Sequence, residues 1–153
     1  MKILVTVGTT VFDSLIEHVD SLAGSDKENE YTFQVASSRI KSKNGSYVSF
    51  VEDIESYYLN ADLIITHAGA GTIYRLLELR KKIIVVPNLE RVDKHQSDIA
   101  KYMEKHKHLL VSWELDNLLS KINEAKSYVP VYYSKVPFFK VDEIVLSIKD
   151  SLK

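Results

Sequence analysis

Short β-branched apolar runs alternate along this sequence with stretches whose apolar residues recur at helical spacing, and that alternation restricts the chain more than any other feature. A strand that is apolar at nearly every position must be covered on both faces, and a helix after each strand supplies the cover. The pattern therefore predicts parallel βαβ units in a doubly wound α/β sheet. Residues 3–7 read as the first strand, and Val11, Leu15 and Val19 with Phe12 and Ile16 give the next stretch one apolar helical stripe. Residues 31–36 and 47–51 read as two further strands, parted by a polar turn around Gly45. Residues 63–66 and 83–86 read as buried strands, with a helix between them that ends near Arg80 and turns Ile73, Leu76 and Leu77 inward. A helix over residues 93–105 places Ile99, Ala100 and Met103 on one face. A short strand at residues 109–111 follows, and then an apolar helical face from Leu115, Leu118, Leu119 and Ile122. Val141, Ile144, Val145, Ile148 and Leu152 give the closing segment a last apolar stripe. The expectation is one Rossmann-like domain over residues 1–153.

Charge and composition exclude several function classes. Lys and Arg total 20 against 21 for Asp and Glu, so no broad field gathers nucleic acid or holds the chain on an anionic membrane. Cysteine is absent, which removes disulfides, thiolate nucleophiles and Cys-based zinc sites. The opening MKILVTVG is too short for a signal-peptide core, and no run reaches the roughly 18 to 20 apolar residues of a membrane span. A cytoplasmic location is expected.

In an open parallel sheet, ligands bind beyond the carboxyl ends of the strands, where helix N-termini offer unpaired N–H groups and partial positive charge. Two such junctions carry glycine. Gly8 permits a tight turn after the first strand, and Thr9 and Thr10 beside it bring hydroxyls suited to a phosphate. The run His67, Ala68, Gly69, Ala70, Gly71, Thr72 follows a buried strand and is slim enough for a diphosphate to lie against its backbone. Small residues also serve close helix packing, and His67 also suits a strand-end cap. A dinucleotide fingerprint fails here, because Tyr74 stands where the third glycine belongs, and no P-loop motif occurs. There is no Asp-x-Asp triplet, so no metal or other cofactor is expected and the charge of a diphosphate falls to helix N-termini and side-chain donors.

Three motifs in order, VTVGTTVFDSLI, ADLIITHAGAGTI and VVPN followed by DKHQSDIA, resemble the C-terminal domain of glycosyltransferase family 28 over about residues 1–103. The style is that of donor-binding subunits of two-subunit UDP-N-acetylglucosamine transferases and of short bacterial capsule and exopolysaccharide relatives. The resemblance implies one half of a GT-B fold, with the diphosphate of a UDP-sugar lined by Gly8, Thr9, Thr10, His67, Ala68, Gly69, Gly71 and Thr72. It places Asp93, His95 and Gln96 toward the donor sugar, although His95 reads equally as a surface residue near a helix start. It implies inverting transfer of a hexose and places the base on a membrane-associated partner subunit, which brings a lipid-linked acceptor. Activity is then expected only with that partner, and residues 127–153 are the candidate docking tail. Family members usually carry an acid four positions after the second loop glycine, to accept from the ribose hydroxyls, and this chain has Arg75 there.

Other readings stay open on the residues alone. A nucleotide-sensing module without catalysis suits Arg75, and an epimerase or hydrolase of the same architecture would need a second domain. His106 and His108, among Lys101, Lys105 and Lys107, read as a solvated face. Tyr128, Tyr132, Tyr133, Phe138 and Phe139, in a segment broken by Pro130 and Pro137, suit either core filling or docking.

Overall fold

The computed structural model describes residues 1–89 and 95–134, the side chain of His95 excepted. Six strands, β1 (Lys2–Thr6), β2 (Glu30–Gln34), β3 (Ser46–Val48), β4 (Leu63–His67), β5 (Lys82–Val86) and β6 (Leu110–Val111), form one sheet in the order β3-β2-β1-β4-β5-β6. All five pairings are parallel, as the buried character of the strands predicts. The strand order reverses between β1 and β4, which places a topological switch point where the two glycine loops emerge.

Helices α1 (Asp13–Ser25) and α5 (Leu118–Ser127) cover one face, and α2 (Ile54–Asn60), α3 (Ala70–Glu78) and α4 (His95–Lys105) cover the other. On the first face Val5, Phe33 and Ile65 pack with Leu15, Ile16, Val19 and Ile122, each fully buried. On the second, Leu4, Ile64 and Val85 pack with Ile73, Leu76, Ala100 and Met103. Each large apolar side chain so buried contributes about 1.5–3 kcal/mol, which is why the apolar runs settle as central strands.

Several boundaries differ from the sequence pattern. Val11 lies before α1 and is exposed. Leu119 faces solvent, because Leu118 and Ile122 already fill the inward side of α5 and the next position along the helix is turned away from the sheet. The third strand stops at Val48, so Ser49 to Val51 form a loop. Helix α2 gives no clear periodic signal. Seven residues span two turns, and its start is fixed by Asp53, whose carboxylate accepts from Ser56 N–H at 3.1 Å. Helices α3 and α4 end on left-handed residues that are not glycine, Arg80 (φ 54°) and Lys107 (φ 57°). In each the following N–H reaches back over the last turn, Lys81 to Leu76 O at 3.1 Å and His108 to Met103 O at 3.0 Å. After α5 the chain crosses toward α3 and α4, where Val131 N–H donates to Lys107 O at 2.8 Å and Tyr133 meets Tyr74 at 5.5 Å between ring centres. Residues 135–153, with Phe138, Phe139 and the apolar stripe from Val141 onward, lie outside the described residues.

Candidate functional site

The loop after β1 is a four-residue turn closed by Thr10 N–H to Val7 O at 3.0 Å, with Gly8 in the left-handed region at φ 59°. A Cβ there would be strained whatever the space around it. Gln34 fixes this loop from the neighbouring strand. Its amide donates to Gly8 O (2.9 Å) and to Ser49 O (3.0 Å), while its Oε1 accepts from Thr6 Oγ1 (2.6 Å). One buried amide therefore joins the ends of β1, β2 and β3.

The loop after β4 is built around His67, which is 7% exposed. A Cβ on Gly69 would sit 2.5 Å from His67 Nε2, and one on Gly8 would sit 3.4 Å from its Cε1. The imidazole thus occupies the side-chain space of Gly69 and lies in ordinary contact range of Gly8, so it packs between the two loops. Gly71 differs, because nothing lies within 4 Å of its would-be Cβ. Packing accounts for Gly69 and leaves Gly71 facing open space.

Gly71 is the second residue of α3, so the first-turn N–H groups of Ala70, Gly71 and Thr72 have no partner further back in the helix. Gly69 supplies no side-chain cap and the first turn holds no acid. The positive end of this helix dipole is left uncompensated. Tyr58 on α2 reaches the end of β1 and the first turn of α3: burial pushes its hydroxyl above the usual tyrosine range, and interaction with Thr6 and Thr72 pulls in the opposite direction. It is a neutral support for Thr72.

A cleft of about 700 Å³ opens in front of these loops, lined by Thr10, His67, Ala68, Gly69 and Ala70 at one end and by Tyr74, Gln96, Asp98, Ile99 and Tyr102 at the other. Gln96 is anchored by its Oε1, which accepts from Asn88 N–H at 3.2 Å. The structure brings Thr10, His67, Ala68, Gly69 and Gln96 to one cleft, and a Cβ on Gly8 would lie 3.4 Å from His67 and 3.8 Å from Thr72 Oγ1. Thr9 is exposed on the turn, Asp93 and the His95 side chain lie outside the described positions, and α4 begins at His95. Gln34, Tyr58, Tyr74 and Tyr102 escaped sequence reading, since no motif marks a residue that reaches a site from a neighbouring strand or helix, and Asp98, although inside the DKHQSDIA motif, takes no role from the family resemblance. A smaller hollow of about 400 Å³ under α2, with Lys2, Glu30 and Asn60 in its wall, contains none of the expected site residues.

Arg75 does not face this cleft as a lone cation. Its guanidinium holds both carboxylate oxygens of Glu55 on α2, at 2.5 and 3.2 Å, and reaches Glu78 at 3.5 Å. Glu78 is thereby engaged with Arg75 one turn further along α3.

Residues 2–127 match the glycosyltransferase family 28 C-terminal domain. The chain belongs to that family. It is 36% identical over 119 residues to the human UDP-N-acetylglucosamine transferase subunit ALG13, an alignment that takes in 70% of this chain and 10% of the human protein. With the Yarrowia lipolytica protein of the same name it shares 30% identity over 135 residues, 77% of this chain and 68% of that protein. The chain thus spans only about a tenth of the human and mouse relatives. Among solved structures, MurG of Acinetobacter baumannii superposes with a TM-score of 0.66 at 21% identity over 82% of this chain and 42% of that one. An ALG13 solution structure gives 0.60 at 17% identity over 97% and 96%. These likenesses identify the architecture as one half of a GT-B fold.

Proposed function

We propose that this chain is the donor-binding subunit of an inverting glycosyltransferase that takes a UDP-sugar, UDP-N-acetylglucosamine or a similar hexose donor. The observation that carries the reading is the uncapped N-terminus of α3 with open space over Gly71, set beside the β1 turn at the switch point of the sheet. A diphosphate there accepts from the first-turn N–H groups and from the hydroxyls of Thr9, Thr10 and Thr72, and meets the positive end of the helix dipole. His67 shapes the floor, with Ala68, Gly69 and Gly71 keeping it slim. Gln96 and, from the family resemblance, His95 are assigned to the hexose, since an amide and an imidazole offer the neutral donors and acceptors that hydroxyl recognition needs.

In the proposed reaction an acceptor hydroxyl attacks the anomeric carbon and the nucleoside diphosphate departs. This chain stabilises the leaving group's charge. The base and the acceptor surface belong to a second Rossmann-like half on a membrane-associated partner that supplies a lipid-linked acceptor. Support for the split comes from relatives whose name makes them a transferase subunit.

Calorimetric titration of the chain with UDP, UDP-N-acetylglucosamine and UDP-glucose tests the donor half of the proposal, and transfer assays with and without the partner test the rest. Donor binding without transfer by the lone chain is expected, with transfer restored by the partner. Binding with no transfer in either case would favour the nucleotide-sensing alternative, and no nucleotide binding at all would sink both.

A further inference from the structure

We propose that the exposed edge of α4 and the crossing segment at residues 129–133 together form a docking surface for an anionic lipid bilayer, so that this chain meets a membrane through its own side chains. The proposal goes beyond donor binding and does not depend on it.

Four large apolar side chains are exposed on this surface: Tyr102 at 55%, Val129 at 81%, Val131 at 52% and Tyr132 at 63%. Tyr102, Val131 and Tyr132 are each fixed by contacts with neighbouring residues. Tyr102 packs on His106 (4.2 Å between ring centres), His106 on His108 (6.0 Å) and His108 against Tyr133 (5.7 Å). Val131 is bound to the end of α4 in both directions, its N–H donating to Lys107 O and its carbonyl paired with His108 Nδ1 at 2.7 Å. Tyr132 carries the Arg80 guanidinium over its ring at 4.9 Å.

Cations surround that apolar strip. Arg80, Lys101, Lys105 and Lys107 are all exposed, and no ion pair among the described residues takes up any of them. The acids on the same stretch of α4 are Asp98, which is exposed at the cleft, and Glu104, whose carboxylate is turned inward to accept from Trp113 Nε1 at 3.0 Å. A chain with a formal net charge of −1 therefore presents one distinctly basic face.

The mixture selects the occupant. Two exposed valines beside the tyrosines and the cations give nothing to a nucleic acid, which rewards cations and stacked rings alone. The headgroup region of a bilayer rewards all three kinds of side chain: tyrosine sits at the level of the headgroups, valine reaches below them, and lysine stems extend toward lipid phosphates. Tyr102 belongs to both this surface and the wall of the cleft. Docking would hold the mouth of the cleft beside the bilayer, within reach of a membrane-borne acceptor.

Sedimentation of the full chain with vesicles tests the proposal. Partition onto phosphatidylcholine vesicles containing phosphatidylglycerol, absence of partition onto phosphatidylcholine alone, and release by salt are expected. The combined Lys101→Glu, Lys105→Glu, Lys107→Glu variant should lose about a hundredfold or more in partition, at roughly a fivefold loss per lysine removed. Val131→Ser with Tyr132→Ser should weaken partition while leaving its salt dependence in place. Reversal of Lys41 and Lys43, on the far side of the sheet, should change little. Thermal unfolding and UDP titration of each variant separate loss of the surface from loss of the fold or of the donor site. Equal partition onto neutral vesicles, none onto anionic ones, or an undiminished triple variant overturns the proposal. So does displacement from the vesicles by duplex DNA or poly-glutamate at matched charge.

Discussion

Two helices begin at the switch point of the sheet, and they have opposite fates. Helix α1 carries Asp13 in its first turn, and that carboxylate accepts from the Ser38 hydroxyl, so its positive end is compensated from within the protein. Helix α3 has no acid in its first turn, no side-chain cap and a glycine at its second position. Both follow a parallel strand and a glycine-bearing loop, and the same dipole acts in each. The contrast shows that a helix N-terminus becomes an anion site only when the sequence leaves it unanswered and clears the space in front of it. In the proposed donor site the β1 loop then serves as a wall and the α3 loop as the floor.

The largest expected effect breaks this contrast at Gly71. Gly71→Val should lower UDP-sugar affinity by about a hundredfold or more, because a branched Cβ enters the space over the helix N-terminus and separates the phosphate from the N–H groups. The fold should survive, since nothing lies within 4 Å of the new Cβ and valine suits a helix no worse than glycine. Calorimetry and thermal unfolding on the same sample check both halves. Undiminished affinity in a folded variant would remove α3 from the site.

Gly69→Ala should do the reverse, acting on stability before affinity. Its Cβ would lie 2.5 Å from His67 Nε2, so the imidazole has to shift within a closely packed site, at a cost of about 1–3 kcal/mol. Adding His67→Ala should recover part of that loss, because the two changes share one volume. Additive losses in chemical denaturation would show that His67 is not what demands glycine at this position.

Much of this was legible in the sequence, for a definite reason. The central strands are buried on both faces and announce themselves as apolar runs, and slim loops after them are marked by glycine. What stayed hidden lay in side chains that act across elements. Gln34 reads as an ordinary polar residue at a strand end, yet it ties three strands together. Helix α2 is too short to show a period, so Tyr58 beside Thr6 and Thr72 and Glu55 on Arg75 could not be placed. A net charge near zero likewise conceals the basic face of α4, because a sum over the chain carries no information about where its charges lie.

Away from the site, the α1 face offers a pH-dependent test. Burial pushes the Asp20 carboxyl up, but hydrogen bonds from the Ser42 hydroxyl, the Asn44 and Lys43 backbone and the Asn44 side chain outweigh it and hold the group below its usual value. With the folded pKa depressed, the unfolded chain binds the proton more readily, so stability rises with pH through this window. The contribution is full above the unfolded value near ~3.9 and is lost as pH falls through the folded one. Asp20→Asn should cost about 1 kcal/mol at neutral pH and flatten the acid limb of the unfolding curve. An unchanged acid limb would show that the loop it clamps contributes nothing to folding. Donor affinity should not move, since neither Asp20 nor that loop lines the cleft.

The smallest effect is expected at the other end of a helix, where the charge logic reverses. Lys107 closes α4 in the left-handed region, with its own N–H donating to Glu104 O at 2.9 Å and His108 N–H to Met103 O at 3.0 Å. Glycine fits that position without the Cβ contact that costs an L-residue about 1–2 kcal/mol. A lysine there recovers part of the difference, because a cation at a helix C-terminus is worth about 0.3–1 kcal/mol at an exposed site. Lys107→Gly should accordingly leave stability unchanged or raise it by up to about 1 kcal/mol, while weakening partition onto anionic vesicles by roughly fivefold. That opposition of signs separates the two roles of the side chain. If stability and vesicle partition fall together, the lysine is held by the helix end and not by the membrane-facing surface, and Arg80, which closes α3 with the same geometry, would then be read the same way.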